Sequence, residues 1–292
     1  MHKTDWMHDA GWGVFTHYMH HSESWNETVA SFDTERLAKK LHDIGAGYYF
    51  ITIMQRSKYM LAPNDTYNRI TGYAPGEACP TRDLIADLYE SLSRYGIRLC
   101  LYYTGDGPLD DAQAGAAMGL LSEQISGKPE RISVEFANNW ASVLREYSLR
   151  YGDKISAWWV DGCYEWLGYN EETLGILADA ARAGNPDALV SLNCGVMERV
   201  SAYSRHDDFT TGEMNAFRDL PEARFAGGAQ WHSLIHLGTF WARFDAQIDG
   251  PALAAYVREV NARGGVITID IGITPEGDLG DEQLQILSHI RN

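Results

Sequence analysis

The 292-residue chain has few cysteines and few cations, and what is missing narrows the reading first. Only four cysteines occur, Cys79, Cys100, Cys163 and Cys194, and none forms a CxxC pair. That argues against a zinc ribbon or a redox dithiol and favours free thiols in a reducing compartment. Lys and Arg number 24 against 40 Asp and Glu, a net charge of -16. Such an acidic chain is repelled by phosphate backbones and anionic lipid, so neither nucleic acid nor a membrane surface is an expected partner. No apolar run reaches spanning length, and Met1 leads into His2-Lys3-Thr4-Asp5-Trp6 without an apolar h-region, so a cytoplasmic location is expected. There is no HExxH, no GxSxG, no phosphate-binding glycine loop, no internal repeat and no linker. His17, His20, His21 and Glu23 lie close together, but their spacing matches no zinc signature. No metal and no cofactor is expected.

What is present is a large apolar and aromatic content, 45% and 12% of residues, enough for one large core. Apolar runs alternate with helical periodicity along the whole chain. Strands are expected at 11–18, 47–54, 97–104, 155–162, 188–193, 208–213 (weak), 229–236 and 266–271. Helices are expected at 33–44, 81–95, 134–151, 170–183, 251–262 and 279–290, several with an Asp or Asn at the start and Gly at the end. Strand–helix alternation implies right-handed βαβ units and a parallel sheet, and eight strands suggest a closed (β/α)8 TIM barrel, one domain over residues 1–292, irregular around the fifth and sixth strands. The turn-rich connections 55–80 and 105–129 then become rim loops on the catalytic face.

The strand Ile155-Ser156-Ala157-Trp158-Trp159-Val160-Asp161-Gly162 organises this reading. Side chains alternate, so Ala157, Trp159 and Asp161 share one face. A carboxylate closing a buried strand is costly unless it meets solvent or a partner. Other strand ends supply His17, Gln55, Arg56, Asp106, Asn193, Glu213, His232, His236 and Asp270. Two carboxylates from separate strands facing one pocket are what glycoside hydrolysis needs, one attacking the anomeric carbon or activating water and one protonating the leaving oxygen. Asp161 and Glu213 are the best placed pair, with Glu165 in reserve. Trp25, Trp166 and Trp231 are candidates for stacking on a sugar face. Asp270 suits a structural hydrogen-bonding role.

Assembled in order, these segments resemble the α-L-fucosidase family of retaining glycoside hydrolases. Gly13-Val14-Phe15-Thr16-His17-Tyr18 is similar to that family's G-x-F-x-H-W first strand. Residues 43–52 (DIGAGYYFIT) look like its second, and Trp158-Trp159-Val160-Asp161-Gly162 like its W-x-D-G nucleophile strand. Residues 261–277 (NARGGVITIDIGITPEG) resemble its closing GGNLLLNIGPTPDG segment. The resemblance implies a carbohydrate substrate, Asp161 as nucleophile, Glu213 in Thr210-Thr211-Gly212-Glu213 as acid/base, and His17 on a sugar hydroxyl. Tyr18, Gln55, Arg56, Trp159, Trp231 and His232 complete the expected binding set. The set departs from the family pattern at three places. Gln55-Arg56-Ser57 stands where a His-His-Asp run is usual, Tyr18 stands for a tryptophan, and His232 for an acid. A pocket rebuilt there is expected to hold fucose differently or to hold galactose, arabinose or a uronic acid, the last through Arg56, although a rim ion pair is the plainer role for that arginine. A non-catalytic carbohydrate-binding relative and a metal-dependent barrel are the other readings. The chain ends after its last barrel helix, so the β-sandwich common in the family is not expected, which leaves helices for a homo-oligomer to cover.

Overall fold

The structure, a computed structural model, describes residues 2–121 and 131–291. Part of the expected rim segment 105–129 therefore lies outside the described residues. Among the described residues ten strands form: β1 (Trp12–Thr16), β2 (Tyr48–Thr52), β3 (Arg98–Thr104), β4 (Ile155–Asp161), β5 (Leu189–Leu192), β6 (Glu213–Met214), β7 (Phe225–Ala226), β8 (Ala229–Gln230), β9 (His232–His236) and β10 (Val266–Asp270). Eight of them make one parallel sheet, in the order β5-β4-β3-β2-β1-β10-β9-β6, while β7 and β8 form a small antiparallel hairpin.

The helices that cover the sheet start where side-chain caps permit. Asp33 caps Thr34–Ile44, Asp83 caps Leu84–Ser93, Ser133 caps Val134–Tyr151, Asn170 caps Glu171–Ala181 with a full capping box, and Asp249 caps Gly250–Ala262. Each cap oxygen accepts an otherwise unpaired first-turn N–H. Asp281–Arg291 is the last helix. Short helices at Asp5–Ala10, Trp25–Ala30, Asp65–Thr71 and Ala112–Met118 were not expected. The last two lie inside the rim connections after β2 and β3.

Two apolar layers result from the alternation. Val14, Tyr49, Ile51, Leu101, Trp158 and Val160 pack outward under the helices. Phe15, Phe50, Tyr102, Ala157, Trp159 and Leu234 fill the inside of the curled sheet. Strand alternation thus places Trp159 and Asp161 inside, as expected of β4.

The expected closure of the barrel is corrected: no ladder joins β5 to β6. Of the expected sixth strand, 208–213, only Glu213 falls in the observed β6, Glu213–Met214. The stretch before it runs along the open edge of β5, with Asp208 N–H donating to Val190 O (2.8 Å). The edge N–H groups of Val190 and Leu192 donate to the Asp208 and Asp207 carboxylates, 2.9 Å each. Buried main-chain donors need partners, and here side-chain oxygens replace a strand. The result is a TIM-like α/β architecture, a curled eight-stranded parallel half-barrel with a seam filled by irregular chain. Among the described residues no helix is long and apolar enough to cross a membrane, and the four cysteines are unbonded to one another.

Candidate active site

Asp161 ends β4 and its two oxygens each accept one short hydrogen bond. Tyr102 OH donates to Oδ2 at 2.6 Å and Asn193 Nδ2 to Oδ1 at 2.7 Å. Gly162 follows with φ of 67°, and a Cβ there would come within 2.9 Å of Asp106 N, so the chain turns at this point only with glycine. Asn193 lies just beyond β5. Main-chain bonds from Asn193 N to Val160 O (2.7 Å) and from Cys163 N to Asn193 O (2.9 Å) fix it against the end of β4.

The same Asn193 nitrogen donates to Glu213 Oε2 at 2.6 Å. One amide therefore serves both carboxylates, one hydrogen for each. Two oxygens bonded to a common nitrogen cannot be further apart than the two bonds laid end to end, about 5.3 Å, so the facing oxygens of the two carboxylates lie closer than the roughly 6.5 Å at which inverting pairs begin. Glu213 reaches this place because Gly212 (φ 55°) lets β6 press on β9. A Cβ at Gly212 would fall 2.1 Å from His232 O. Burial, and next the charge of Asp161, push the Glu213 carboxyl up to about 7, against the pull of Asn193 and His17. A carboxyl raised in this way keeps its proton to higher pH than a free one, which suits a proton donor.

His17, one residue beyond β1, has Nδ1 2.8 Å from Asp270 Oδ1, so Asp270 orients the ring, as its expected structural role suggested. The other oxygen of Asp270 accepts from Ala242 N at 2.8 Å, and Ala242 carries a positive φ of 59°. One buried carboxylate thus ties the imidazole to the loop after β9. That loop brings Phe240 and Trp241 to the pocket, the latter ring 5.4 Å from His17. The pocket itself, about 410 Å³, has His17, Gln55, Trp159, Asp161 and Glu213 among its walls. That is a common size for a small-ligand site. Trp159 stacks on Tyr102 with centroids 5.5 Å apart, and its indole N–H points to Thr211 O at 3.4 Å.

Four expected binding residues lie elsewhere. Tyr18 has the opposite parity to His17: it packs outward against Trp25 and Phe32 and donates to Pro275 O at 2.6 Å. Trp231 likewise faces outward from β9, beside Gly265 and Val260. His232 does face inward, but one layer beneath Leu234, which lines the pocket. It is fully buried between Thr210 O (2.8 Å) and Thr268 Oγ1 (2.6 Å), and burial lowers its pKa to about 4. Arg56 adopts φ of 60° and turns to the rim, where it grips Asp110 through two bonds of 3.0 and 2.9 Å. The ion-pair role holds, and the uronic-acid role is left without its cation.

Of the other candidates, Glu165 is exposed on the rim and Trp25 is core, donating to Met60 O at 2.6 Å. Trp166 stays exposed, stacked on Tyr164 at 5.4 Å. Asp106 is buried beside the site, bonded by Thr104 Oγ1, and burial pushes its pKa up to about 6. His20 faces Ile273 O, and burial lowers the pKa of His21 to about 4. Among the described residues no three His, Cys, Asp or Glu side chains gather as metal ligands. Phe240 and Trp241 were missed, because they sit in a loop where no alternation signals direction. Asn193 stood among the strand ends without a role.

The family model for alpha-L-fucosidase matches residues 1–292. The chain belongs to the α-L-fucosidase family. It is accordingly a fucosidase-like glycoside hydrolase. Among solved structures it is similar to the endo-fucoidan hydrolase P5AFcnA of glycoside hydrolase family 107 (15% identity, 99% of this chain and 92% of that one, TM-score 0.76). It is similar also to the α-L-fucosidase AlfC of Lactobacillus casei in complex with α-L-fucose (16%, 99% and 97%, TM-score 0.69). A third is the family 29 α-L-fucosidase of Bacteroides thetaiotaomicron trapped as a covalent intermediate (15%, 99% and 73%, TM-score 0.70). The chain spans nearly all of some of these proteins and about half of other fucoidan hydrolases. At such identities the likeness speaks for the fold. A comparison with curated proteins finds no match. Gln55 turns an amide into the pocket, its Oε1 buried and without a partner among the described residues, while Arg56 leaves for the rim.

Proposed function

We propose that this protein is a retaining exo-glycosidase that releases a terminal fucose, with residues 1–292 acting as one TIM-like catalytic unit. Asp161 attacks the anomeric carbon while Glu213 gives its proton to the departing oxygen. Water then attacks the glycosyl ester, Glu213 takes its proton, and Asp161 is released as carboxylate. His17, aimed by Asp270, binds a sugar hydroxyl. Gln55 offers an acceptor, and Trp159 forms the pocket wall.

The observation that carries this reading is the single Asn193 amide shared by both carboxylates. It holds them at a separation suited to direct attack, short of the ~6.5 Å at which a water fits between them. Glu213, raised by burial, is the member able to give a proton, and Asp161, held by two donors, is the one to attack. A non-catalytic sugar-binding relative has no use for a second carboxyl of raised pKa beside the first. The covalent intermediate trapped in the Bacteroides enzyme supports the same course for this chain.

The test is turnover of 4-nitrophenyl α-L-fucoside followed by proton NMR. The first-formed sugar should be the α anomer, and Asp161→Asn should lower kcat by at least about 10³ while L-fucose still binds. Initial β-fucose, or an active Asp161→Asn protein, would overturn the assignment.

A further inference from the structure

The pocket changes character from floor to mouth. Its depth holds the polar groups His17, Asp161 and Glu213. Its mouth carries large apolar side chains left open to solvent: Phe240 is 61% exposed and Val196 54%. Buried apolar groups are routine, whereas exposed ones gathered at one opening call for an occupant.

Their placement follows Glu213. Val196 lies in the loop after β5, next to Met197, whose N–H donates to Glu213 O at 3.0 Å. Phe240 lies in the loop after β9, and β9 is the strand that pairs with β6, Glu213 opposite Leu234. Its ring sits 6.1 Å from that of His236. On the β4 side, Tyr164 lines the mouth and is backed by the exposed ring of Trp166. An apolar arc therefore runs from the β4 loop to the β9 loop, centred on the strand that bears the acid. In the reaction proposed above the leaving oxygen takes its proton from Glu213, so the leaving group emerges on this side.

Charge narrows the choice. No Lys or Arg is among the pocket's described lining residues, which include two carboxylates. On the β2 side of the rim, Arg56 is held by Asp110 and lies 3.8 Å from Asp106. An anionic leaving group would meet these carboxylates with no cation among the lining residues to offset them.

We infer that Val196, Phe240 and the Tyr164–Trp166 pair form a leaving-group subsite for an uncharged aglycone with a flat apolar face. This rests on the retaining fucosidase reading. It is tested by comparing 4-methylumbelliferyl α-L-fucoside with α-L-fucosyl fluoride, whose leaving group is too small to reach the arc. The double variant Val196→Ser, Phe240→Ala should lower the aryl-to-fluoride ratio of kcat/KM roughly tenfold, through KM for the aryl substrate. Leu149→Ala, which removes an equally exposed side chain from the outer helix, should leave the ratio alone. A carboxylated aryl fucoside of matched leaving-group pKa should be a poorer substrate than the neutral one by about tenfold or more. An unchanged ratio in the double variant, or equal rates for charged and neutral aryl groups, would overturn the subsite alone. A wild-type protein inert towards both fucosides would overturn the fucosidase reading and the subsite with it.

Discussion

Replacing Asn193 by alanine tests the arrangement on which the proposed chemistry depends. The substitution deletes the donor to Asp161 Oδ1 and the donor to Glu213 Oε2 together. The main-chain bonds that join β4 to β5 at this residue, Asn193 N to Val160 O and Cys163 N to Asn193 O, do not involve its side chain and should survive. A hydrogen bond to a charged acceptor contributes roughly 1.5–3 kcal/mol. Water entering the vacated space recovers part of this, so a net loss near 2–3 kcal/mol, or about 30- to 160-fold in kcat/KM, is expected. The pH profile gives the sharper signature. Glu213 must be protonated to act as acid, so activity falls as pH rises through its pKa of about 7. Asn193 now holds that value down by favouring the carboxylate. Without it the alkaline limb should move upward by about one unit, since one unit corresponds to ~1.4 kcal/mol. The assay is kcat/KM against an aryl α-L-fucoside from pH 4 to 10, with thermal unfolding as a check on folding. A slower enzyme with an unmoved limb, or one moved downward, would refute the reasoning.

Three further outcomes are expected. The carboxyl of Glu213 is raised from 4.5 to about 7, so its folded-state contribution is fully present below about pH 4.5 and is lost as pH rises through 7. Glu213→Gln should therefore match wild-type stability in urea near pH 4.5 and exceed it at pH 8.5 by roughly 1–3 kcal/mol; a gain independent of pH would contradict this. Asp270→Asn should cost about ten- to 100-fold in kcat/KM, because His17 loses its charged partner and the Ala242 turn loses its acceptor; an effect under twofold would show that the ring needs no such anchor. Arg56→Gln should change turnover of a neutral fucoside less than about twofold, as befits a half-exposed ion pair of small net worth, and a loss of tenfold or more would return Arg56 to the substrate.

Much of the fold was legible because its signals are local. Apolar runs of strand length, Asp and Asn caps and terminal glycines located the long helices and the strands of the sheet other than β6. Val134–Tyr151 was recovered to the residue. The short helices Asp65–Thr71 and Ala112–Met118 were not legible. Each is seven residues long and is held by its surroundings: Asp65 and Thr66 N–H groups, for example, donate to Glu146 on a distant helix. A single turn or two has little intrinsic stability, so its periodicity is faint and its partner remote.

The site was legible to the extent that strand parity determines direction. Asp161 and Trp159 were placed correctly because β4 alternates for seven residues. The same rule, applied one position off, accounts for two of the four misplaced residues. Tyr18 and Trp231 adjoin inward-facing His17 and His232, and a neighbour of an inward residue must face outward. His232 failed differently, since parity gives direction but not depth, and β9 carries three inward residues of which only the upper ones can reach the pocket. Beyond the strand ends parity lapses, which is why the left-handed turn at Arg56 and the aromatic pair Phe240–Trp241 went unread. The seam is the deeper case. No pattern of apolar residues announces it, because Asp207 and Asp208 do there with carboxylates what a strand would do with carbonyls. Freed from a full ladder, the chain before β6 can bend at Gly212, and that bend is what delivers Glu213 to Asn193. The irregularity that obscured the sixth strand is thus the same feature that brings the second carboxylate to the first.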